Sequence, residues 1–129
     1  MTNGSNKNGE TLRRLLNREK PLLCPGVHDP LTAAVAQQVG FDAVYMTGYG
    51  TSLSTVGYPD AGFVTMPEMV QNAANVQERI SVPLIADADN GYGNATNVVR
   101  TVREYIKAGV GAIHIEDQTF PKRCGHTKG

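Results

Sequence analysis

At 129 residues, with 40% hydrophobic side chains, the chain is long enough for one domain with a real core and argues against two. Twelve basic and twelve acidic residues cancel to a formal net charge of zero, which excludes the broad field of a nucleic-acid or anionic-membrane binder and leaves small molecules as the expected partners. No run approaches the roughly 18 apolar residues of a membrane span. The polar start lacks the apolar core of a signal peptide, and two cysteines, Cys24 and Cys124, are too few for a disulfide framework, so a cytoplasmic protein is expected.

Residues 1–9 are rich in Asn, Gly and Ser and read as a flexible tail, with one folded domain over 10–129. From Glu10 to Glu19, Leu12, Leu15 and Leu16 fall at helical spacing, and the helix stops before Pro21. Leu22 to Val27 reads as a first strand. Asp29 and Pro30 then suit the cap and first position of a helix to about Val39, with Leu31, Ala34, Val35 and Gln38 on one side and Gly40 as terminator. Ala43 to Met46 is the second strand, followed by a glycine-bearing loop from Thr47 to Ser52. A long loop over 53–64, around Gly57-Tyr58-Pro59-Asp60, is of the kind that more often carries function. Thr65 and Glu68 make a capping-box pattern before a helix to about Arg79, with Met69, Val70, Ala73 and Val76 on its apolar face. Leu84 to Asp87 is the third strand. Asn94 caps a helix whose Ala95, Val98, Val99, Val102, Tyr105 and Ile106 follow the helical period, and Ala112 to Ile115 is a fourth strand that delivers Glu116.

Four strand-helix units with short apolar strands indicate a parallel α/β sheet buried on both faces. Two closures fit this pattern: four strands of an eight-stranded (β/α)8 barrel, or a small doubly wound sheet. No GxGxxG follows the first strand, which weakens the dinucleotide-binding form of the second. Every polar cluster follows a strand, so parallel strands would bring the clusters to one rim. Asp87 and Asp89 project from one face of an extended segment, and Glu116 ends the neighbouring strand. Two carboxylates about 4 Å apart repel by roughly 4 kcal/mol at an effective dielectric near 20. Three together therefore call for a hard cation, Mg²⁺ or Mn²⁺, held by one or two carboxylates and waters. Exposed loop acids beside an Asn90-Gly91 turn are the plain alternative.

His114 shares the parity of Glu116 and is expected as a hydrogen-bonded group in the polar layer instead of a ligand. In Lys122-Arg123-Cys124-Gly125-His126, cations and an imidazole surround a thiol, conditions that lower a cysteine pKa. Taken alone, that segment reads equally well as a basic surface loop with an incidental cysteine. One thiolate with one imidazole is too little for zinc. Cys24, on the first strand, is expected to be buried and inert.

Three motifs in order, Ala86-Asp87-Ala88-Asp89 with Gly91-Tyr92-Gly93, His114-Ile115-Glu116-Asp117-Gln118, and Lys122 to His126, make the chain resemble the isocitrate lyase and phosphoenolpyruvate mutase superfamily. The likeness extends upstream through Pro25 to Asp29, Thr47-Gly48-Tyr49 and Gly57 to Asp60, and looks strongest to the 2-methylisocitrate and dimethylmalate lyase branch. The resemblance implies the N-terminal half of a (β/α)8 barrel that uses Mg²⁺ on a small carboxylic acid, with the complete fold a homo-oligomer. It implies Asp87 as principal metal ligand, with Asp89 and Glu116 acting through waters. Thr47, Gly48 and Tyr49 would contact the substrate carboxylate, with Gly125 in the mobile substrate-side segment and Asp60 near the reacting centre. Cys124 would protonate the carbanion left by carbon-carbon cleavage, supported by Lys122, Arg123 and His126. A 2-oxo acid hydrolase or decarboxylase on the same scaffold is the competing enzyme reading. Because a barrel of this type needs about 250 residues, a truncated half barrel that only associates with itself or with a full-length relative is the non-catalytic one.

Overall fold

The computed structural model describes residues 6–125. Helix α1 spans Lys7–Leu16, starting and ending three residues earlier than expected. Asn6 is the reason. Its side-chain oxygen accepts the Gly9 N–H at 3.0 Å, while its Nδ2 donates to Val110 O at 2.8 Å. Asn8 Nδ2 donates to Gly109 O at 2.8 Å. Residues 6–9 thus belong to the folded domain: the asparagines that suggested a loose chain cap the start of α1 and bond the carbonyls of Gly109 and Val110. The tail expected over 1–5 lies outside the described residues.

The remaining elements follow in strand-helix order. Strand β1 is Gly26–Val27 and helix α2 is Pro30–Val39. The expected Asp29 cap and the Gly40 terminator are both present, the glycine at φ +106° where other residues are strained. Strand β2 is Val44–Met46 and helix α4 is Met66–Arg79, where Glu68 accepts the Thr65 N–H at 2.7 Å. Between them, Gly48–Thr55 forms helix α3 and not the expected loop. Its sequence has weak helix propensity, but Thr47 Oγ1 caps it by accepting the Gly50 N–H at 3.2 Å, and Thr51 and Ser52 are buried. Strand β3 is Leu84–Asp87, helix α5 is Ala95–Lys107 under an Asn94 cap, and strand β4 is Ala112–His114.

The four strands lie parallel in the order β1-β2-β3-β4. Consecutive order with no reversal is that of adjacent strands in a (β/α)8 barrel, since a doubly wound sheet reverses direction at its switch point. One face is fully buried: Val44, Met46, Leu84 and Ala86 pack with Met69, Ala73 and Val76 of α4 and with Tyr105 of α5. Burying a Met or Val completely contributes about 1.5–3 kcal/mol each. The opposite face is only half-buried at Tyr45, Ile85 and Asp87, because α1 covers just its amino end through Leu12 and Leu15. The expected apolar sides of α2 and α5 are partly wrong. Ala33 and Ala36 are the buried residues of α2, while Leu31, Val35 and Val39 are 72%, 51% and 71% exposed. In α5, Thr101 and Tyr105 are buried, whereas Val99 and Ile106 face solvent.

Candidate active site at the carboxyl rim

Because the strands are parallel, residues just beyond their carboxyl ends gather on one rim. Asp87, the last residue of β3, is held there by backbone. Its Oδ2 accepts the Gly48 N–H at 3.0 Å and its Oδ1 accepts the Asp89 N–H at 2.9 Å. Only glycine suits position 48, since a Cβ there would stand 2.7 Å from Asp87 Oδ2. From below, Tyr105 Oη donates to Asp87 O at 2.8 Å.

Asp89 sits at φ +47° and is buried. The β3–β4 pairing continues past the strands to hold it: Ala88 N–H donates to His114 O at 2.9 Å and Glu116 N–H to Asp89 O at 2.7 Å. Its carboxylate meets Lys122, whose Nζ bonds Asp89 Oδ1 and lies 2.6 Å from Asp60 Oδ1. The side chains of all three are 10% exposed or less. Burial pushes the Asp89 carboxyl above its ordinary range, although the hydrogen bond from Lys122 opposes it. For Lys122 burial acts downward, but the hydrogen bonds to Asp60 and Asp89 outweigh it and keep the ammonium protonated. The strap over 119–125 is pinned twice more, by Cys124 N–H on Asp60 O at 3.2 Å and by Arg123 N–H on Gln118 Oε1 at 3.0 Å.

These contacts revise several expectations. Lys122 does not turn its charge to the thiol; a buried ammonium needs carboxylates, and Asp60 and Asp89 supply them. The three acids do not share one cation cage. Asp89 pairs with Lys122, and Glu116 Oε2 lies 2.5 Å from Gln118 Nε2. Among the described residues no group of three or more His, Cys, Asp or Glu side chains could hold a metal together. They do lie near one another, with Asp89 N–H on Asp87 Oδ1 and Glu116 N–H on Asp89 O, and the Tyr45 hydroxyl is pushed well above its ordinary range by burial and then by Asp87, Glu116 and Asp89. His114 is exposed, with its Nδ1 3.1 Å from Tyr45 Oη. Cys24 is half-buried, packed beside Leu12, Leu15 and Ala43, and burial raises its thiol pKa. Arg123 and Gly125 are exposed, Cys124 is half-buried, and His126 lies outside the described residues. Tyr49 is 47% exposed on the first turn of α3.

Asp87 by itself offers donors of the kind that a hard divalent cation takes. Asp87 offers oxygen ligands only, each with a lone pair beyond its backbone contact, and among the described residues no basic side chain pairs with it. Mg²⁺ needs only one or two carboxylates with waters. Sequence reasoning gave no role to Tyr45, to Gln118, although it lies in a quoted motif, or to Ser52, whose Oγ donates to Tyr58 O at 2.8 Å and so positions the loop that bears Asp60. Nothing in their spacing marked them. A cavity of about 750 Å³ between Leu15, Arg18 and Phe41 opens at the opposite, amino end and gathers no comparable chemistry.

The phosphoenolpyruvate phosphomutase family model matches residues 12–128. The chain is 58% identical over 118 residues to 2,3-dimethylmalate lyase of Eubacterium barkeri, covering 92% of this chain and 41% of that protein. It resembles the structure of oxaloacetate acetylhydrolase bound to the inhibitor 3,3-difluorooxalacetate with a TM-score of 0.91 and 43% identity, over 96% of this chain and 43% of that one. It also resembles phosphonopyruvate hydrolase in complex with oxalate and Mg²⁺, with a TM-score of 0.84 and 37% identity, over 89% of this chain and 40% of that one. The chain thus spans about two fifths of the length of these relatives.

Proposed function

Since the chain belongs to the phosphoenolpyruvate phosphomutase family, we propose that it carries the metal-and-acid half of a carbon-carbon lyase site for a branched 2-hydroxy di- or tricarboxylic acid of the dimethylmalate or 2-methylisocitrate type. The chain from Asn6 onward would then be the N-terminal part of a (β/α)8 domain in a cytoplasmic homo-oligomer. The observation that carries the reading is the strap: Cys124 N–H bonds Asp60 O and the preceding Arg123 N–H bonds Gln118 Oε1, beside the rim where Asp87 stands without a side-chain cation among the described residues.

Asp87 is the residue that would hold Mg²⁺ or Mn²⁺ directly, with Asp89 and Glu116 reaching it through waters. Such an ion, when bound, stabilises negative charge that grows on the substrate's oxygens. The substrate carboxylate is assigned to the start of α3. There Gly48 N–H is engaged by Asp87 and Gly50 N–H by Thr47, which leaves the Tyr49 N–H and the Thr47 hydroxyl proton as donors at a positive helix end. Gly48 then acts by admitting Asp87, and not as a donor to substrate. Cleavage leaves the bonding electron pair on the carbon next to a carboxylate, while the other fragment passes its hydroxyl proton through water to solvent and becomes a carbonyl compound. Cys124 Sγ gives its proton to that carbon. Lys122 and Asp60 close the strap over the reacting atoms and exclude water, with the exposed Arg123 and Gly125 on its outer side.

A 2-oxo acid hydrolase is the second reading, favoured by the likeness to oxaloacetate acetylhydrolase. It shares the rim and differs in what is cleaved. The test is an assay of a full-length polypeptide carrying this chain, with Mg²⁺ and 2,3-dimethylmalate, 2-methylisocitrate or oxaloacetate. Release of pyruvate from a branched hydroxy acid, abolished by Cys124→Ser, is expected. Release of oxalate from oxaloacetate alone selects the hydrolase, and pyruvate release unchanged by Cys124→Ser removes the role given to the thiol.

A further inference from the structure

Gln118 joins two parts of the rim that the proposed chemistry needs together. Its Nε2 lies 2.5 Å from Glu116 Oε2, and its Oε1 accepts the Arg123 N–H at 3.0 Å. The strap fixes the amide orientation. The Arg123 N–H can only donate, so Oε1 faces the strap, which turns Nε2 to the Glu116 carboxyl oxygen. Glu116 is itself fixed through its N–H on Asp89 O at 2.7 Å, and Arg123 immediately precedes Cys124. From these contacts we infer that Gln118 is a positioning residue, which conveys the placement of the Glu116 carboxylate to the backbone beside Cys124.

The consequence is a thiol whose seat depends on the acid side of the rim. Lys122 on Asp60 and Asp89 and the Cys124 N–H on Asp60 O also hold the same strap. Loss of Gln118 therefore loosens the strap without releasing it. The inference rests on the proposed function for its purpose, the placement of a proton donor, but its test needs no turnover.

The experiment measures iodoacetamide alkylation of Cys124 in the 129-residue chain by peptide mass spectrometry, with Cys24 as reference in the same molecule. Gln118→Met removes both hydrogen bonds at similar length. Glu116→Ala removes the carboxylate, and Glu116→Gln removes its charge while keeping an oxygen for Gln118 Nε2. The Cys124 to Cys24 rate ratio is expected to rise about threefold to tenfold in Gln118→Met and in Glu116→Ala, the scale of one net hydrogen bond. The double variant should be no faster than either single one, and Glu116→Gln should stay within about twofold of the unaltered chain. Multiplying effects in the double variant, an unchanged ratio in Gln118→Met, or an equal rise at Cys24 would overturn the inference. So would a Glu116→Gln rate matching Glu116→Ala, which assigns the effect to lost charge near the thiol. Failure of the lyase reading appears separately, as absent pyruvate release.

Discussion

The two flanks of the rim are held by different forces. On the β2–β3 flank, backbone fixes Asp87: two N–H groups on its oxygens and Tyr105 Oη on its carbonyl. On the β4 flank, charge does the holding, with Lys122 between Asp60 and Asp89. Two aspartates two residues apart therefore have opposite availability. No basic side chain pairs with Asp87 among the described residues, whereas a buried ammonium pairs with Asp89. A backbone-held acid tolerates little added volume; a charge-held one tolerates little change of charge.

Lys122→Met tests that contrast hardest. It leaves Asp60 and Asp89 buried together without their cation, and unfolding in urea should show a loss of about 3 kcal/mol. A loss below about 1 kcal/mol would mean that solvent already screens the cluster. On the other flank, Gly48→Ala adds only a methyl group, but into a gap where it meets Asp87 Oδ2 at 2.7 Å. The same measurement should fall by about 2 kcal/mol, and an unchanged value would show that Asp87 moves aside freely.

Asp29 sharpens the comparison because it too is a carboxylate held by backbone, at an exposed helix cap. The Thr32 N–H at 2.7 Å is the main cause of its lowered pKa. Asp29→Ala should cost about 1 kcal/mol. The sign follows from the lowered value: the difference from the unaltered chain is full above the ordinary 3.8 and disappears as pH falls through the lower folded value. Least affected should be Arg18→Gln. Arg18 meets Asp42 at 2.7 Å, a charge-held contact like that of Lys122, but both side chains are more than half exposed. A change within about 0.5 kcal/mol is expected, and a larger one would mean that exposure is not what separates the two ion pairs.

What could be read from the sequence was what depends on neighbours in the chain. The Asp29-Pro30 start, the Thr65 and Glu68 box and the Asn94 cap each act within a few residues, and all three begin helices at those positions. Helix α4 buries Met69, Ala73 and Val76 as its period predicts, because it packs between α2 and α5. Those two helices do not match their patterns in the same way. Leu31, Val35 and Val39, like Val99 and Ile106, lie on sides that no described helix covers. Helix α3 escaped notice because its stability comes from burial of Thr51 and Ser52, not from propensity.

At the rim, the gathering of acids followed from strand polarity, and Asp87 was legible at the end of β3. Which acid meets which cation was not. Lys122 and Asp89 are separated by 33 positions and Lys122 and Asp60 by still more, so only the folded strap brings them together. Tyr45 and Gln118 acquire their roles through the same long-range contacts.

The account depends most on Asp87 being the acid left available to a cation. Calorimetric titration of Mg²⁺ into the chain and into Asp87→Asn tests this directly. Saturable binding is predicted for the unaltered chain and for Cys124→Ser, with binding lost in Asp87→Asn. Equal binding with and without the Asp87 carboxylate, or none to the unaltered chain, would contradict it.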